Sequence, residues 1–566
     1  MGTGRLGTVL GCTILLMAGC APAAAPTSSN QAAATSTPVR TTPKILTIGS
    51  LREPYSIEGF VSGTVRDLAG EAGDLAQNHL TVLDPNETPQ PQLAAELPSV
   101  ENGTWQVHPD GTMDVTWKLR PGVTWHDGAP FTSDDLLFSL TVHKDPDLLY
   151  SARPDAALIA SAAAPDPHTL IVHWSQTSVK ALQGSGLEPM RRDLLEELYR
   201  SDKTSFANSS RFTTDFVGLG PYRMVAWERG SYMQLGRFDN YFLSRPPLDG
   251  VVIKFIKDGN TLVANLLAGA VDLVVPPSIE MDPALALKQQ WAGTGNQVRI
   301  DATPRIGYVE IQLRPDTARP ASVLLRPEIR QALYQAIDRA SISQVVAAGL
   351  PPADSWYAPA DPLRPSMEAM IPQYPYDPAR ARQLLGQAGW VPGTDQVRMS
   401  SASGERMSLE SWIMVQGSDK AAAIVGDNWK QIGVETAVSP IAPANAGDRQ
   451  YRAQFPGVLI NTTSVPDLPD RFDSRDVAGP ANRWGGRNTS GYTNPRVNEA
   501  LDRLKTSVDP NQRLLYLQQV VHEVMADVGI MPLYWEPRPV IAAASVRADI
   551  HPNRVGWNAY TWDKAA

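Results

Sequence analysis

Two aspartates in the last third of the chain, Asp467 and Asp470, are the acidic residues best placed to do chemistry. They lie between Asn461 and Pro480, a stretch rich in Pro, Asp and Thr. This composition predicts an irregular loop, and loops carry binding groups more often than helix faces do. Two carboxylates that face one substrate can act as general acid and base, and one carboxylate can bind a cation. Two other acidic pairs are typical of a helix start and of a solvated helix face: Asp134/Asp135 and Glu196/Glu197.

Other residue types that support catalysis or metal binding are sparse. The two cysteines, Cys12 and Cys20, lie in the first twenty residues, so we expect no thiolate site or disulfide in the folded part. The eight histidines include no pair at the i, i+4 spacing with which a helix face holds a metal. We find no phosphate-binding loop and no α/β-hydrolase nucleophile motif. We therefore expect no enzyme activity, no cofactor and no metal.

Composition indicates a large globular protein that does not bind nucleic acid. The chain has 566 residues, of which 43% are hydrophobic, which is enough apolar material for a sizeable core. Its formal net charge of −9 does not suit a phosphate backbone, because nucleic-acid binding needs a basic surface. Beyond the N-terminal region no stretch has eighteen consecutive apolar residues, so we expect no membrane-spanning helix there.

The N-terminal region predicts export and a lipid anchor. Behind Arg5, an apolar run of about 13 residues is too short to span a bilayer and is typical of a signal peptide. Leu16-Met-Ala-Gly-Cys20 resembles a bacterial lipoprotein signal, in which cleavage precedes the cysteine and its sulfur is acylated. We expect a signal peptide over residues 1–19, an acylated Cys20 and a disordered tether over residues 20–43. An ordinary signal peptide with an incidental cysteine is the alternative.

Strand and helix signals alternate through the rest of the chain. Apolar and polar side chains alternate over residues 113–120, which predicts a half-buried strand. Thr132 with Asp135 forms the pattern of a helix-capping box. Prolines at helix starts, each followed by an apolar stripe, predict further helices: Pro327, Pro378 and Pro510. The mixture indicates α/β or α+β lobes.

Five ordered stretches carry a resemblance to a known family. The strongest is Trp117–Ser139, which contains Trp-His-Asp-Gly at residues 125–128. The others follow in the family's order: Gly218–Trp227 with Asp239–Tyr241, Leu266–Asp272, Arg330–Arg339 and Tyr492–Pro495. Together they resemble the extracytoplasmic solute-binding proteins of family 5, the dipeptide- and oligopeptide-binding proteins of ABC importers. The resemblance covers most of residues 45–562.

The residue types in these stretches indicate mostly scaffold roles. Trp117 and Trp125 are predicted to lie in a core. Gly128, Gly220 and Gly269 are predicted as turn and cap glycines, because glycine adopts left-handed backbone conformations without steric cost.

The resemblance implies an α/β, two-lobed periplasmic-binding-protein-like fold of type II, with an extra domain and a hinge between the lobes. The first lobe would be discontinuous, built from residues 44–77, 217–299 and 529–566. The extra domain would be inserted over residues 78–216, and the second lobe would be residues 300–528. The ligand would lie between the lobes, and closure about the hinge would bury it.

The resemblance also implies where a peptide would bind. Family members hold an extended peptide mainly through its main chain, and bind its amino terminus with an Asp shortly after a Gly-Trp pair. Direct alignment places Val465 at this acidic position and Thr462 at the Trp position, so Asp467 substitutes only if the loop shifts by two residues. Glu58 and Tyr150 fall where oligopeptide binders line the cleft. The predicted ligand-binding residues are Glu58, Tyr150, Asp467 and Asp470.

The sequence therefore predicts a substrate-binding lipoprotein that captures a di- or oligopeptide and delivers it to an ABC permease in the cytoplasmic membrane. We expect a monomer, lipid-anchored at the outer face of the membrane or in the periplasmic space. Two alternatives stay open. One is a secreted hydrolase whose acids are Asp467 and Asp470. The other is an oligosaccharide binder of the same family, which would stack sugar rings on tryptophans that are otherwise ordinary core residues: Trp356, Trp412, Trp484 and Trp535.

Overall fold

The computed structural model describes residues 43–57, 69–148, 156–184, 186–354, 356–359, 361–414 and 418–565. The predicted signal peptide, Cys20 and the tether up to residue 42 lie outside the described residues, as do Glu58 and Tyr150. Within the described ranges, no helix is both long enough and apolar enough to cross a bilayer.

The described residues form strands and α-helices that alternate along the chain. The strands are β1 (Ile45–Ser50), β2 (Thr81–Leu83), β3 (Pro89–Pro91), β4 (Trp105–Val107), β5 (Met113–Lys118), β6 (Ile159–Asp166), β7 (Thr169–Trp174), β8 (Tyr222–Glu228), β9 (Tyr232–Arg237), β10 (Gly250–Phe255), β11 (Leu273–Val274), β12 (Gln297–Ile311), β13 (Trp390–Pro392), β14 (Arg398–Ser400), β15 (Ser408–Ile413), β16 (Glu435–Pro440), β17 (Val458–Ser464), β18 (Ile530–Ala542), β19 (Val546–Arg547) and β20 (Asp563–Lys564). The helices are α1 (Ala69–Ala76), α2 (Ser133–His143), α3 (Arg192–Ser201), α4 (Lys203–Ala207), α5 (Gly259–Leu267), α6 (Met281–Gln290), α7 (Ala321–Leu324), α8 (Pro327–Gln335), α9 (Arg339–Val346), α10 (Arg364–Glu368), α11 (Pro378–Gln387), α12 (Ser418–Gln431), α13 (Arg449–Ala453), α14 (Pro495–Thr506) and α15 (Pro510–Ala526).

A ten-stranded sheet runs through both lobes of the fold, in the order β16-β15-β17-β12-β18-β11-β1-β10-β9-β8. The two central strands are long, with 15 residues in β12 and 13 in β18, and they pair antiparallel. At one end β18 pairs with β11, and at the other end β12 pairs with β17. The same two strands therefore take part in both halves of the sheet and join them.

The ladder between β12 and β18 is interrupted where the chain passes from one half of the sheet to the other. The register shifts between Ala302 and Ile306, opposite Glu536. Side chains replace the missing backbone bonds there: the Thr303 hydroxyl donates to the Glu536 carbonyl at 2.9 Å, and Arg305 Nε donates to the Glu536 carboxylate at 2.5 Å. An irregular, twisted segment of this kind is a natural place for two lobes to bend.

The family stretch Arg330–Arg339 packs against the second half of the sheet. Ile329 and Leu333 of α8 lie in a core with the strands β12 and β17, as the helical stripe predicts. Arg330 is also buried and donates to the carbonyls of Asp527 and Val528, at the end of α15. A helix end needs such donors, because its last carbonyls have no partner within the helix.

Residues between β4 and β7 form a separate four-stranded sheet, in the order β4-β5-β7-β6. Inward-facing Met113, Val115 and Trp117 are fully buried, so the predicted alternation is confirmed. The capping box of Thr132 and Asp135 is also confirmed and begins α2. Burial raises the pKa of Asp135, although backbone N–H groups of neighbouring residues donate to its carboxylate.

The glycines of the family stretches have two different roles. Gly128 and Gly269 have left-handed φ angles of 90° and 69°, so the turn and cap predictions are confirmed for them. The prediction was wrong for Gly220, whose φ is not left-handed; a Cβ there would lie 2.4 Å from the carbonyl carbon of Ala76. Gly220 also holds His126, whose Nε2 lies 3.0 Å from the Gly220 carbonyl. The first two family stretches therefore meet where the His126 ring contacts the Gly220 carbonyl.

Candidate functional site

A polar cavity of about 400 Å³ lies in the part of the fold contributed by residues 310–489. Its size falls within the range of small-molecule sites in proteins. Both charged and neutral hydrogen-bonding groups line it. The lining residues are Glu310, Met414, Arg452, Leu459, Asn461, Thr463, Asp467, Arg471, Gly486, Arg487 and Thr489.

Two paired strands position the neutral part of this lining. Leu459, Asn461 and Thr463 are alternate residues of β17 and so point to one face of the sheet. Their antiparallel neighbours on β12 include Glu310, which lies opposite Leu459. The predicted irregular loop from Asn461 was therefore wrong for its first four residues, since the strand continues to Ser464. Short 3₁₀ turns begin only at Val465.

Asp467 lies in the first of these turns and lines the cavity, as a ligand-binding role requires. Its side chain is exposed, and no hydrogen bond or ion pair joins its carboxylate to another described residue. Its negative charge does act on nearby Arg471. A carboxylate without a direct partner can bind a cationic group of a ligand without first breaking an internal bond.

Asp470 has a different environment and is not a lining residue. Arg487 Nη1 donates to its carboxylate at 2.5 Å, and Lys505 Nζ lies 3.4 Å away. The structure therefore does not present Asp467 and Asp470 together to one substrate. The hydrolase alternative loses the geometry on which it depended, because two catalytic carboxylates must face the same bond.

Three arginines line the cavity, and sequence reasoning missed all three. Arg487 is paired with Asp470, and Arg471 Nη1 lies 4.0 Å from Glu310. Arg452, on the short helix α13, is half-buried, and its Nε atom is buried without a partner. In a sequence these arginines look like ordinary solvated residues, because their spacing follows no motif.

Glu310 is the buried acid of the cavity and is held by several groups. The Thr489 hydroxyl donates to one oxygen of its carboxylate, and Tyr308 Oη donates to the other at 3.3 Å. The Arg471 guanidinium adds a longer ion pair. A buried carboxylate satisfied in this way fixes the position of Arg471.

The tryptophans considered for sugar stacking do not line the cavity. Trp356 and Trp535 are only 1% and 0% exposed, so they present no free face. Trp412 stacks on Tyr451 with their ring centroids 4.7 Å apart, and Trp484 is half-buried near Arg314. The oligosaccharide alternative therefore lacks the aromatic platform it required. In the ranges that the structure describes, no cluster of three or more His, Cys, Asp or Glu is arranged to hold a metal ion.

The two-lobed fold with a polar cavity is that of a solute-binding protein, and comparison with known families gives the same class. The model of the bacterial extracellular solute-binding proteins, family 5 Middle, matches residues 88–479. This range is more than half of the chain, so the chain belongs to the family 5 extracellular solute-binding proteins. The resemblance noted in the sequence is confirmed.

Individual relatives differ in what they bind. The chain is 23% identical over 540 residues to the oligopeptide-binding protein AppA of Bacillus subtilis, with 91% of each chain covered. The structure of that AppA in complex with a nonapeptide has a TM-score of 0.68 at 20% identity, covering 93% of this chain and 100% of AppA. NikA from Brucella suis, solved with Fe(III)-EDTA, has a TM-score of 0.72 at 17% identity, covering 92% and 99%. The Bacillus subtilis relative is named for oligopeptide binding, and the solved structures show the shared fold.

Proposed function

We propose that this chain is the substrate-binding lipoprotein of an ABC importer, and that it captures a peptide and delivers it to a membrane permease. The lobes would be residues 44–77, 217–299 and 529–566 on one side and 300–528 on the other, with residues 78–216 as the extra domain. The observation that carries the proposal is the unpaired Asp467 carboxylate in a polar cavity. The family relationship to an oligopeptide-binding protein supports the same ligand class.

In this proposal Asp467 binds the free amino terminus of the peptide. Asn461 and Thr463 supply neutral hydrogen-bonding groups beside it, which suit a peptide main chain. Closure of the lobes would exclude water from the ion pair. Truncating one partner of a buried, hydrogen-bonded ion pair costs roughly 2–5 kcal/mol of binding free energy.

A thermal-shift screen tests the ligand class. A ligand at one hundred times its dissociation constant stabilises the folded state by about 2.7 kcal/mol. We expect mixed peptides of two to ten residues to raise the melting temperature and oligosaccharides to leave it unchanged. Recovery of the bound peptide intact, by mass spectrometry, distinguishes a binder from a hydrolase. A shift with oligosaccharides alone would overturn the peptide assignment.

Substitution of Asp467 tests the anchor. Asp467→Asn is expected to weaken peptide binding by more than tenfold, and acetylating the peptide's amino group should then have little further effect, since both changes remove one interaction. Asp427→Asn is the matched control, because Asp427 is an exposed carboxylate on α12 outside the cavity. Equal affinity of the unaltered protein for free and acetylated peptides would show that Asp467 is not the anchor.

Glu58 and Tyr150 remain proposed ligand contacts of the cleft. Glu58→Gln and Tyr150→Phe, measured with the same peptides, should each lower the affinity by several-fold. Affinities equal to that of the unaltered protein would remove these two residues from the site.

We also propose that Cys20 is the acylated residue. Cys20→Ser should then release the protein from membranes as a soluble species. A variant that still fractionates entirely with membranes would contradict the lipoprotein assignment.

A further inference from the structure

Arg452 differs from the other inward-facing arginines of the second half of the fold. Arg330, Arg398 and Arg314 each donate to two or more backbone carbonyls. The guanidinium of Arg452 donates no hydrogen bond to any described residue, although its Nε atom is completely buried. Arginine carries five N–H donors and is never deprotonated in proteins, so a guanidinium in this position lacks its normal hydrogen-bond acceptors.

The surroundings of Arg452 make its charge unfavourable in the ligand-free protein. Burial lowers the pKa of Arg452, and the like charges of Arg449 and Arg471 lower it further. The carboxylates of Glu310 and Asp448 partly oppose this shift. Even partial removal of a charged group from water is costly when the group has no hydrogen-bond partner. An anion in the cavity would remove this penalty.

The other charges of the cavity are already matched in pairs. Arg487 is paired with Asp470, and Arg471 lies 4.0 Å from Glu310. Of the charged side chains lining the cavity, Arg452 and Asp467 are therefore the two without a hydrogen-bonded or ion-paired partner among the described residues. They have opposite signs, so the cavity offers one site for an anion and one for a cation.

We propose that Arg452 binds a carboxylate of the ligand, so that the cavity recognises a short zwitterion whose ammonium group pairs with Asp467. This inference rests on the proposed function and specifies the ligand of the same site. The planar guanidinium can donate two parallel hydrogen bonds to a carboxylate, which a single ammonium cannot do.

The size of the cavity suits a short ligand of this kind. A sphere of about 400 Å³ is about 9 Å across, and an extended chain spans at most about 3.5 Å per residue. An extended peptide of two or three residues has about this length, so both of its charged ends can lie within the cavity.

Isothermal titration with L-alanyl-L-alanine, its C-terminal amide and its N-acetyl derivative tests the inference. We expect the amide to bind at least tenfold more weakly than the free dipeptide. In Arg452→Gln the free dipeptide should be weakened to the same degree, and amidation should have no further effect. Arg380→Gln is the matched control, because Arg380 is exposed on α11 and does not line the cavity.

Two further ligands identify the source of the carboxylate. Ala-Asp-amide retains an acid only in its side chain, and Fe(III)-EDTA is a polycarboxylate without a peptide. Tight binding of Ala-Asp-amide that Arg452→Gln abolishes would assign Arg452 to an acidic side chain. Tight, Arg452-dependent binding of Fe(III)-EDTA with no peptide binding would contradict the proposed function but support the carboxylate site.

The outcomes separate the two proposals. Equal binding of the dipeptide and its amide, or dipeptide binding by Arg452→Gln as tight as by the unaltered protein, overturns the carboxylate site while peptide binding stands. Failure of all the probes overturns both. Arg452→Lys, which keeps the charge but not the planar fork, and the melting temperatures of the ligand-free variants show that any loss arises from the site and not from unfolding.

Discussion

Replacing Arg330 with methionine should destabilise the second half of the fold more than any surface substitution. Arg330 is 5% exposed. Its guanidinium makes four hydrogen bonds, at 2.5–3.2 Å, to the carbonyls of Leu324, Asp527 and Val528. Two of these carbonyls end α15, where the helix dipole also favours a cation. Methionine fills a similar volume but leaves the three carbonyls without these donors.

The expected loss follows from opposing contributions. Hydrogen bonds to charged groups contribute about 1.5–3 kcal/mol each, but holding the guanidinium out of water costs several kcal/mol, as the lowered pKa of Arg330, caused by its burial, indicates. Breaking such a buried set by removing one partner typically costs about 3–5 kcal/mol. For a unit of roughly 200 residues this corresponds to a decrease of at least about 6 °C in melting temperature.

Differential scanning calorimetry measures this directly, because the lobes of a large chain can unfold in separate transitions. Arg330→Lys should lose an intermediate amount, since one ammonium cannot reach both Leu324 and the end of α15. Arg380→Met, at an exposed position of α11, is the control and should shift the transition by about 1 °C or less. If Arg330→Met melts within about 1 °C of the unaltered protein, the stabilising role derived from these hydrogen bonds is wrong.

Three further predictions concern pH and backbone packing. Burial lowers the pKa of His126 to about 4. As pH falls from 6.5 to 4 the unfolded state therefore takes up a proton before the folded state does, and the free energy of unfolding decreases by up to about 3 kcal/mol. His126→Gln should remove most of this decrease, measured as the denaturation midpoint against pH. Burial opposes ionisation of Asp473, but hydrogen bonds from Arg475 and Lys505 prevail and lower its pKa. Asp473→Asn should therefore be destabilising at pH 7, and its difference from the unaltered protein should shrink as pH falls below about 4; a constant difference down to pH 2 would contradict this reasoning. Gly220→Ala should strongly reduce soluble yield or melting temperature, because its Cβ would meet the Ala76 backbone, whereas Gly259→Ala, with nothing within 4 Å, should be nearly neutral.

Features with local causes were predictable from the sequence. The capping box of Thr132 and Asp135 and the alternation from Met113 to Trp117 involve neighbours only a few residues apart, and the structure has both. The helices that begin at Pro327, Pro378 and Pro510 are also present, since proline suits the first helical position.

Features that depend on distant neighbours were not predictable. In the sequence Gly220 resembles a turn glycine, and only the folded structure shows that the Ala76 backbone packs against it. Asp470 and Asp467 are equivalent acids in the sequence, and only the approach of Arg487 and Lys505 to one of them distinguishes the two. The Arg452 site was missed for the same reason, because the absence of a partner is a property of the folded surroundings.

The pairing of β18 has a consequence for biosynthesis. Strands β11 and β12, on either side of it, both use β18 as a partner, yet β18 begins at Ile530, near the end of the chain. As the chain is made, both halves of the sheet keep an open edge until the same 13 residues have emerged. Open strand edges are templates for aggregation, so a chain that stops before Ile530 leaves two incomplete lobes instead of one.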